Sequence, residues 1–344
     1  LNWSKSSFMR DSWWFYMMTL PTWVLKAVWM KPPQKLYKYC PVSENSLRSI
    51  IRAQVFHSPP MQFNDPLDCN PSLKIDLATA ELEALLKKMM ADVGASDDDV
   101  RKEIDRITYF ATEPDDWDDV ERGDKIFSYL LGEEIMRLLR KQLGTKGVLS
   151  LSAKWDEPLL WSHYAAQHKG ICIEYETNFD LQYLKAIDYN APRALSAHDV
   201  YLWKCAGDKV AAGRIFDTYF YAKAPQWSYE AEWRDINDKS GLNPLHFDIT
   251  AIHFGMRVDP VWKLMLVKTL HRDQQVALYD MLTDENSFEL HRRQIERDEL
   301  ERRGIDQPAF RVFGDYLTDI EPYSIGERAV EGQTDDPFKR SRKH

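Results

Sequence analysis

A long block of helical periodicity set between short strand signals constrains the fold of this chain more than any other feature. From about Leu77 to Leu143, apolar residues recur at helical spacing: Leu82, Leu85, Leu86, Met89 and Met90, then Ile126, Tyr129, Leu130, Ile135, Leu138 and Leu139. Ahead of the block, Leu36–Cys40 and Val55–Ser58 read as strands, with Ser43 as the N-cap of a helix over residues 44–53 between them. Beyond it, Val148–Ser152, Ile171–Tyr175 and His246–Gly255 read as further strands, and Pro260 to about Leu282 reads as helix. This order specifies a mixed α+β domain over about 35–290, with a helical insertion at about 77–143. A charged tail follows at 291–344.

The stretch Gln226–Ile236 carries the densest chemistry. As a strand it alternates Trp227, Tyr229, Ala231 and Trp233 on one face with Ser228, Glu230, Glu232 and Arg234 on the other. Two carboxylates side by side can take separate roles, one holding a hydroxyl or a developing cation while the other orients an acceptor. The simpler account of the same pattern is a solvated, salt-bridged strand face.

Other features weigh less. Trp161, Tyr164, Ala165 and His168 fall on one face of a helix capped by Asp156 or Glu157 and closed by Gly170; an aromatic stripe at this spacing is more often core than ligand pocket. The acidic runs Asp97–Asp99 and 113–121 lack the spacing and glycine of a calcium loop. Cys40, Cys69, Cys172 and Cys205 are far apart, with no zinc-type spacing, so they read as free thiols of a cytoplasmic protein and no metal site is expected. With 45 Lys and Arg against 54 Asp and Glu, the net charge of −9 argues against a general nucleic-acid binder. Residues 1–34 hold an aromatic run with Trp13, Trp14 and Trp23, too short and too interrupted by Pro21 to span a bilayer. This run reads as an arm packing on the body or on a neighbouring subunit, a route to a homo-oligomer, with no transmembrane segment expected.

Taken in order, Leu36-Tyr37-Lys38-Tyr39, Phe63-Asn64-Asp65-Pro66, Trp161-Ser162-His163-Tyr164 with His168-Lys169-Gly170, Tyr229-Glu230-Ala231-Glu232-Trp233-Arg234 and Phe254-Gly255-Met256-Arg257 resemble the bacterial family catalogued as domain of unknown function 2971, from about residue 35 to about 290. More loosely, a Tyr-containing first strand, a Ser-x-Ser strand and a late Glu-x-Glu strand resemble the order in mono-ADP-ribosyltransferases. That second resemblance implies an ADP-ribosyltransferase-like split central β-sheet, and NAD as a substrate that is cleaved and passed to an unknown acceptor. It places Lys38 where the family has Arg or His, Ser150 and Ser152 at the serines that shape the nicotinamide pocket, Glu232 at the catalytic glutamate and Glu230 at the acceptor-side acid. Tyr164 or Trp161 would stack on nicotinamide, and Arg234 would keep Glu232 ionised. Lysine lacks the planar fork that grips phosphate, so either Lys38 is a point-charge ligand or Tyr37 or Tyr39 carries the first motif.

The expectation is therefore an NAD-dependent ADP-ribosyltransferase or NAD-cleaving enzyme, a toxin or phage-defence effector. Two alternatives stand beside it. One is a non-catalytic binding module on the same fold. The other is a nuclease that arranges Glu230, Glu232, Asn64 and Asp65 around magnesium.

Overall fold

The computed structural model describes residues 31–112, 120–177, 184–270 and 275–298. The chain divides into two units, Leu1–Glu301 and Arg302–His344, and every described residue lies in the first. The aromatic run with its three tryptophans and most of the charged tail fall outside the described residues.

In chain order the elements are β1 (Lys35–Cys40), α1 (Glu44–Arg52), β2 (Gln54–His57), β3 (Ser72–Lys74), α2 (Thr79–Asp92), α3 (Asp97–Thr112), α4 (Val120–Leu143), β4 (Gly147–Ser152), α5 (Pro158–Tyr164) and β5 (Ile171–Glu176). There follow β6 (Lys185–Ala186), β7 (Ala194–Ser196), α6 (Ala197–Ala206), α7 (Lys209–Tyr221), β8 (Glu232–Asn237), β9 (Gly241–Pro244), β10 (Asp248–Phe254), α8 (Pro260–Thr269), β11 (Ala277–Thr283) and β12 (Leu290–Gln294). Among the described residues, eight strands join in one mixed sheet in the order β12-β11-β10-β5-β1-β4-β8-β6, with only β10 and β11 parallel. The architecture is α+β, and three helices, α2 to α4, occupy the insertion between β3 and β4.

Local chemistry explains the starts and stops. Ser43 accepts from the Ser46 amide while the Ser46 hydroxyl accepts from the Ser43 amide, a reciprocal cap that opens α1. Asp208 caps α7 by accepting from Val210 and Ala211, and Asp259 caps α8 ahead of Pro260.

Strand alternation sorts the sheet into two faces. One face carries Leu36, Leu149, Leu151, Ile171, Ile173, Trp233, Ile252 and Phe254, which form a core with Ile50 of α1 and Leu266 and Val267 of α8. The other face carries Glu174, Tyr37, Ser152 and Glu232 as successive register partners across β5, β1, β4 and β8. Here the α2–α4 and α6–α7 helices cover one end, burying Leu85, Ile135, Leu139, Ile215 and Phe220 with Val148 and Ile236. Tyr39, Leu160, Trp161 and Cys172 pack nearer β5. The cavity described below opens between these two groups.

Two motifs noted in the sequence prove to be one feature. Gly255, just past β10, donates to the Gly170 carbonyl at 3.0 Å, and Arg257 donates to the His168 carbonyl at 2.9 Å. A methyl group on Gly170 would collide with the Cys40 carbonyl, and one on Gly255 would collide with the His168 carbonyl, each closer than 3.0 Å. Only glycine lets these backbones cross. The approach also holds Ala166, Gln167 and His168 in the left-handed region, with φ of 48°, 58° and 67°.

Several expectations are corrected. The helix expected to run to Gly170 stops at Tyr164, and His168 returns by stacking its ring on Trp161 at 6.0 Å. The helix expected from Pro260 to about Leu282 ends at Thr269; Ala277–Thr283 is instead strand β11, because its residues pair with both β10 and β12. Strand β12 crosses the boundary drawn at 290/291. Gln226–Ile236 is not one strand: Pro225–Glu230 forms a 3-10 turn, Ala231 is left-handed at φ 43°, and β8 begins at Glu232. Trp227 and Tyr229 therefore do not share a strand face with Trp233. No helix among the described residues is long and apolar enough to cross a membrane.

The crossing predicts that Gly170→Ala and Gly255→Ala each destabilise the protein by at least ~1–3 kcal/mol through overpacking against backbone. Gly213→Ala, at an exposed position in α7 with nothing within 4 Å, should stabilise it by up to about 1 kcal/mol. Urea unfolding of the three variants measures both effects; equal behaviour at all three glycines would contradict the crossing.

Candidate functional site

Glu230 and Glu232 are brought to one cavity by a turn rather than by strand alternation. The Ser152 hydroxyl donates to the Glu230 carbonyl at 2.7 Å and accepts from the Lys154 amide at 2.9 Å, while the Ala153 amide donates to the Ala231 carbonyl at 3.0 Å. These bonds pin the left-handed Ala231 against the end of β4. Both carboxylates then face inward and are buried, at 3% and 5% exposure, which removes the solvated-face account.

A buried ion cluster fixes them. Arg234, fully buried, donates from Nε to Glu232 Oε1 at 2.7 Å and from Nη2 to Glu232 Oε2 at 3.1 Å. Its Nη1 and Nη2 also reach both oxygens of Asp68, at 2.9 and 2.6 Å, and Nη1 reaches the Phe220 carbonyl at 2.8 Å. Lys223, two residues past α7, places its Nζ 2.5 Å from Glu230 Oε2, 2.9 Å from Glu232 Oε2 and 3.5 Å from Asp68 Oδ2. Three carboxylates thus share two cations. The Tyr164 hydroxyl donates to Glu230 Oε1 at 2.8 Å, and the Glu232 amide donates to the Tyr189 hydroxyl at 3.0 Å.

The two glutamates are pushed in opposite directions. For Glu232, burial opposes ionisation, but the charges of Arg234 and Lys223, with hydrogen bonds from Arg234 and Ser150, outweigh it and bring the pKa down to about 2. For Glu230, burial and the nearby Glu232 charge outweigh Lys223 and the Tyr164 bond, and its pKa is raised. Burial also works against the Lys223 ammonium, yet Glu232, Asp68 and Glu230 together raise its pKa. The stability effects consequently have opposite signs. Glu232 contributes stability above its unfolded value of 4.5, lost as pH falls toward about 2. Glu230 contributes below its unfolded value and loses that contribution as pH rises through its raised folded value.

The cavity, about 340 Å³, is lined by Tyr37, Lys38, Tyr39, Ser150, Ser152, Tyr164, Glu230, Glu232 and Arg234 among the residues expected from sequence. Lys38 reaches it through a parting of the sheet. β1 and β4 share one register pair, Tyr37 with Ser152, and beyond that pair Lys38 Nζ donates to the Ser150 carbonyl at 3.0 Å. Burial lowers the Lys38 pKa, against the pull of Cys40 and Glu232. Tyr39 turns its hydroxyl away to the Lys154 carbonyl, at 2.9 Å. The Tyr37 pKa is pushed up to about 12 by burial and by the charge of Glu174, its register partner on β5.

Trp161 is the exception among the expected residues. It is fully buried outside the cavity, its indole N–H donates to the Trp155 carbonyl at 2.8 Å, and its faces meet Tyr39 and His168. It is core, not a stacking platform.

Sequence reasoning missed Asp68 and Lys223. Asp68 lies in the turn that Asp65 holds by accepting from the Leu67 amide, and Asp65 also accepts from Trp227 Nε1 at 2.8 Å. That loop was legible as a turn, but nothing local announces that Asp68 meets a residue 166 positions away. Lys223 had only its closeness to the Glu-x-Glu stretch as a signal.

Breaking the cluster should be costly. Arg234→Met leaves Asp68 and Glu232 buried with one cation fewer and is expected to destabilise the fold by about 3–5 kcal/mol. Arg48→Ala removes only the exposed pair with Glu44 and is expected to cost about 0.5 kcal/mol or less. Chemical denaturation of both variants measures the difference; a near-neutral Arg234→Met would mean the cluster does not hold the site together.

No curated protein and no solved structure is matched by this chain. Residues 160–234, the segment that carries Tyr164, Lys223, Glu230, Glu232 and Arg234, match the family described as Protein of unknown function (DUF2971).

Proposed function

We propose that the cavity cleaves the bond between nicotinamide and ribose in NAD and passes the ribosyl group to water or another acceptor. The observation that carries this reading is the pair of neighbouring carboxylates, Glu232 with its pKa brought down and Glu230 with its pKa raised, facing one cavity. Environments that separate two carboxylates in this way assign them different roles.

As the C–N bond breaks, its electron pair leaves with nicotinamide and the ribose becomes oxocarbenium-like. An ionised Glu232 stabilises that charge from a fixed position, with Arg234 and Lys223 aiming it. The acceptor oxygen then bonds to the ribose carbon and gives its proton to Glu230, which Tyr164 and Lys223 orient. Tyr164 and Tyr37 supply aromatic wall, and a NAD-consuming activity of this kind suits a toxin or defence effector.

A second reading, a binding module with no turnover, draws support from Arg234, whose bonds to Asp68, Glu232 and Phe220 are those of a structural ion cluster. A magnesium-dependent nuclease is less consistent with the charges. The Lys223 ammonium already sits among the three carboxylates where a metal would bind, and Asp65 is engaged by Trp227.

Release of nicotinamide from NAD tests the proposal. Glu232→Gln should lower kcat by roughly 100–1,000-fold with little change in NAD affinity. Glu230→Gln should remove an acidic limb whose pKa lies above the ordinary glutamate value. NAD binding without nicotinamide release would favour the binding module, and neither binding nor release would reject the NAD reading.

A further inference from the structure

The size and the charge of the cavity limit how much of a ligand it can hold. At about 340 Å³ it sits near the lower end of the roughly 300–1,000 Å³ range of small-ligand sites, so the second nucleotide of a dinucleotide would extend past its lining. Of the Lys and Arg side chains that line it, Lys223 and Arg234 are both engaged by Asp68, Glu230 and Glu232. Their charge is already balanced, and a phosphate placed beside them would also meet the carboxylates.

Lys38 differs. Among the described residues it is the lining Lys or Arg without a carboxylate within 4.0 Å, and its hydrogen bond to the Ser150 carbonyl uses one N–H and leaves others for a ligand. An ammonium with no carboxylate within 4.0 Å has room for an anion beside it, and a lysine binds phosphate as a point charge rather than a fork. One such charge matches one phosphate group. The described lining offers no second cation for the rest of a pyrophosphate.

We infer that the ligand this cavity recognises is a ribonucleoside monophosphate unit with a cationic base, the nicotinamide mononucleotide portion, and that the adenylate half of a dinucleotide contributes little to recognition. This rests on the nicotinamide–ribose reading above and narrows it. On this inference Tyr37, Tyr164 and Phe63, which line the cavity, would take the ring, Glu230 and Glu232 the ribose, and Lys38 the single phosphate.

The test compares nicotinamide riboside, nicotinamide mononucleotide and NAD on the full chain, by calorimetric Kd and by nicotinamide release. The expected result is a mononucleotide Kd within about tenfold of that for NAD, since contacts outside the cavity add little. Lys38→Met should weaken the mononucleotide by about tenfold or more while leaving the riboside within about twofold, and Lys38→Arg should restore the preference. If these ligands bind in that order but no nicotinamide is released, the ligand class stands and the catalytic reading falls. NAD binding more than about 100-fold tighter than the mononucleotide would overturn the inference, because remote contacts would then dominate. So would equal loss of riboside and mononucleotide in Lys38→Met, which would make Lys38 a prop for the Ser150 carbonyl. Binding of none of the three would overturn both.

Discussion

The buried guanidinium of Arg234 is the interaction around which the candidate site is built. A charge without solvent must be matched by charge and hydrogen bonds, and Arg234 recruits its partners from three regions. Asp68 comes from the loop after β2, the Phe220 carbonyl from the last turn of α7, and Glu232 from its own strand. Meeting the needs of one side chain thus ties that loop, the helical region and the sheet into one wall. Lys223 follows from the same geometry, since the chain leaving Phe220 brings its ammonium back to the carboxylates two residues after the helix ends.

Parts of this arrangement were legible in the sequence, for reasons that differ from residue to residue. Ser150 and Ser152 share a face because β4 is a regular strand, and their neighbours Leu149 and Leu151 face the core as alternation requires. Glu230 and Glu232 were expected side by side on a strand, and they do converge, but through the left-handed Ala231 and the Ser152 bond rather than through a pleat. Strand alternation read too far back because Trp, Ser and Tyr at 227–229 suit strands and 3-10 turns alike. The resemblance offers Trp161 beside Tyr164 as a ring to stack on nicotinamide, whereas their helical spacing points to core. Both lie within the seven-residue helix, yet the indole is buried in the core while the phenol lines the cavity. Strand β11 was read as helix since Ala277–Thr283 mixes apolar and polar residues without a clean period, and its pairing with β10 and β12 decides its conformation.

The same sheet face carries a second carboxylate in the row that holds Glu232. Glu174 pairs in register with Tyr37 and accepts from Lys35 at 2.5 Å and Thr250 at 2.8 Å. Burial opposes its ionisation, but hydrogen bonds from His253, Lys35 and Thr250 prevail and hold its pKa well below the ordinary value. Its charge helps push up the pKa of the Tyr37 phenol at the cavity edge. The glycine crossing at Gly170 and Gly255 supports the row from behind by setting how closely the end of β1, the segment before β5 and the end of β10 approach.

What sets this site apart is that Glu230 and Glu232 share one cavity yet have their pKa values pushed in opposite directions. Carbon-13 labelling of the glutamate side chains, with Glu230→Gln and Glu232→Gln used for assignment, follows each carboxyl through a pH titration by NMR. Glu230 is expected to titrate above 4.5, while Glu232 shows no protonation from neutral pH down to the point where the fold itself is lost. Two carboxyls titrating together near 4.5 would contradict this, because neither the ion cluster nor the burial would then be separating their roles.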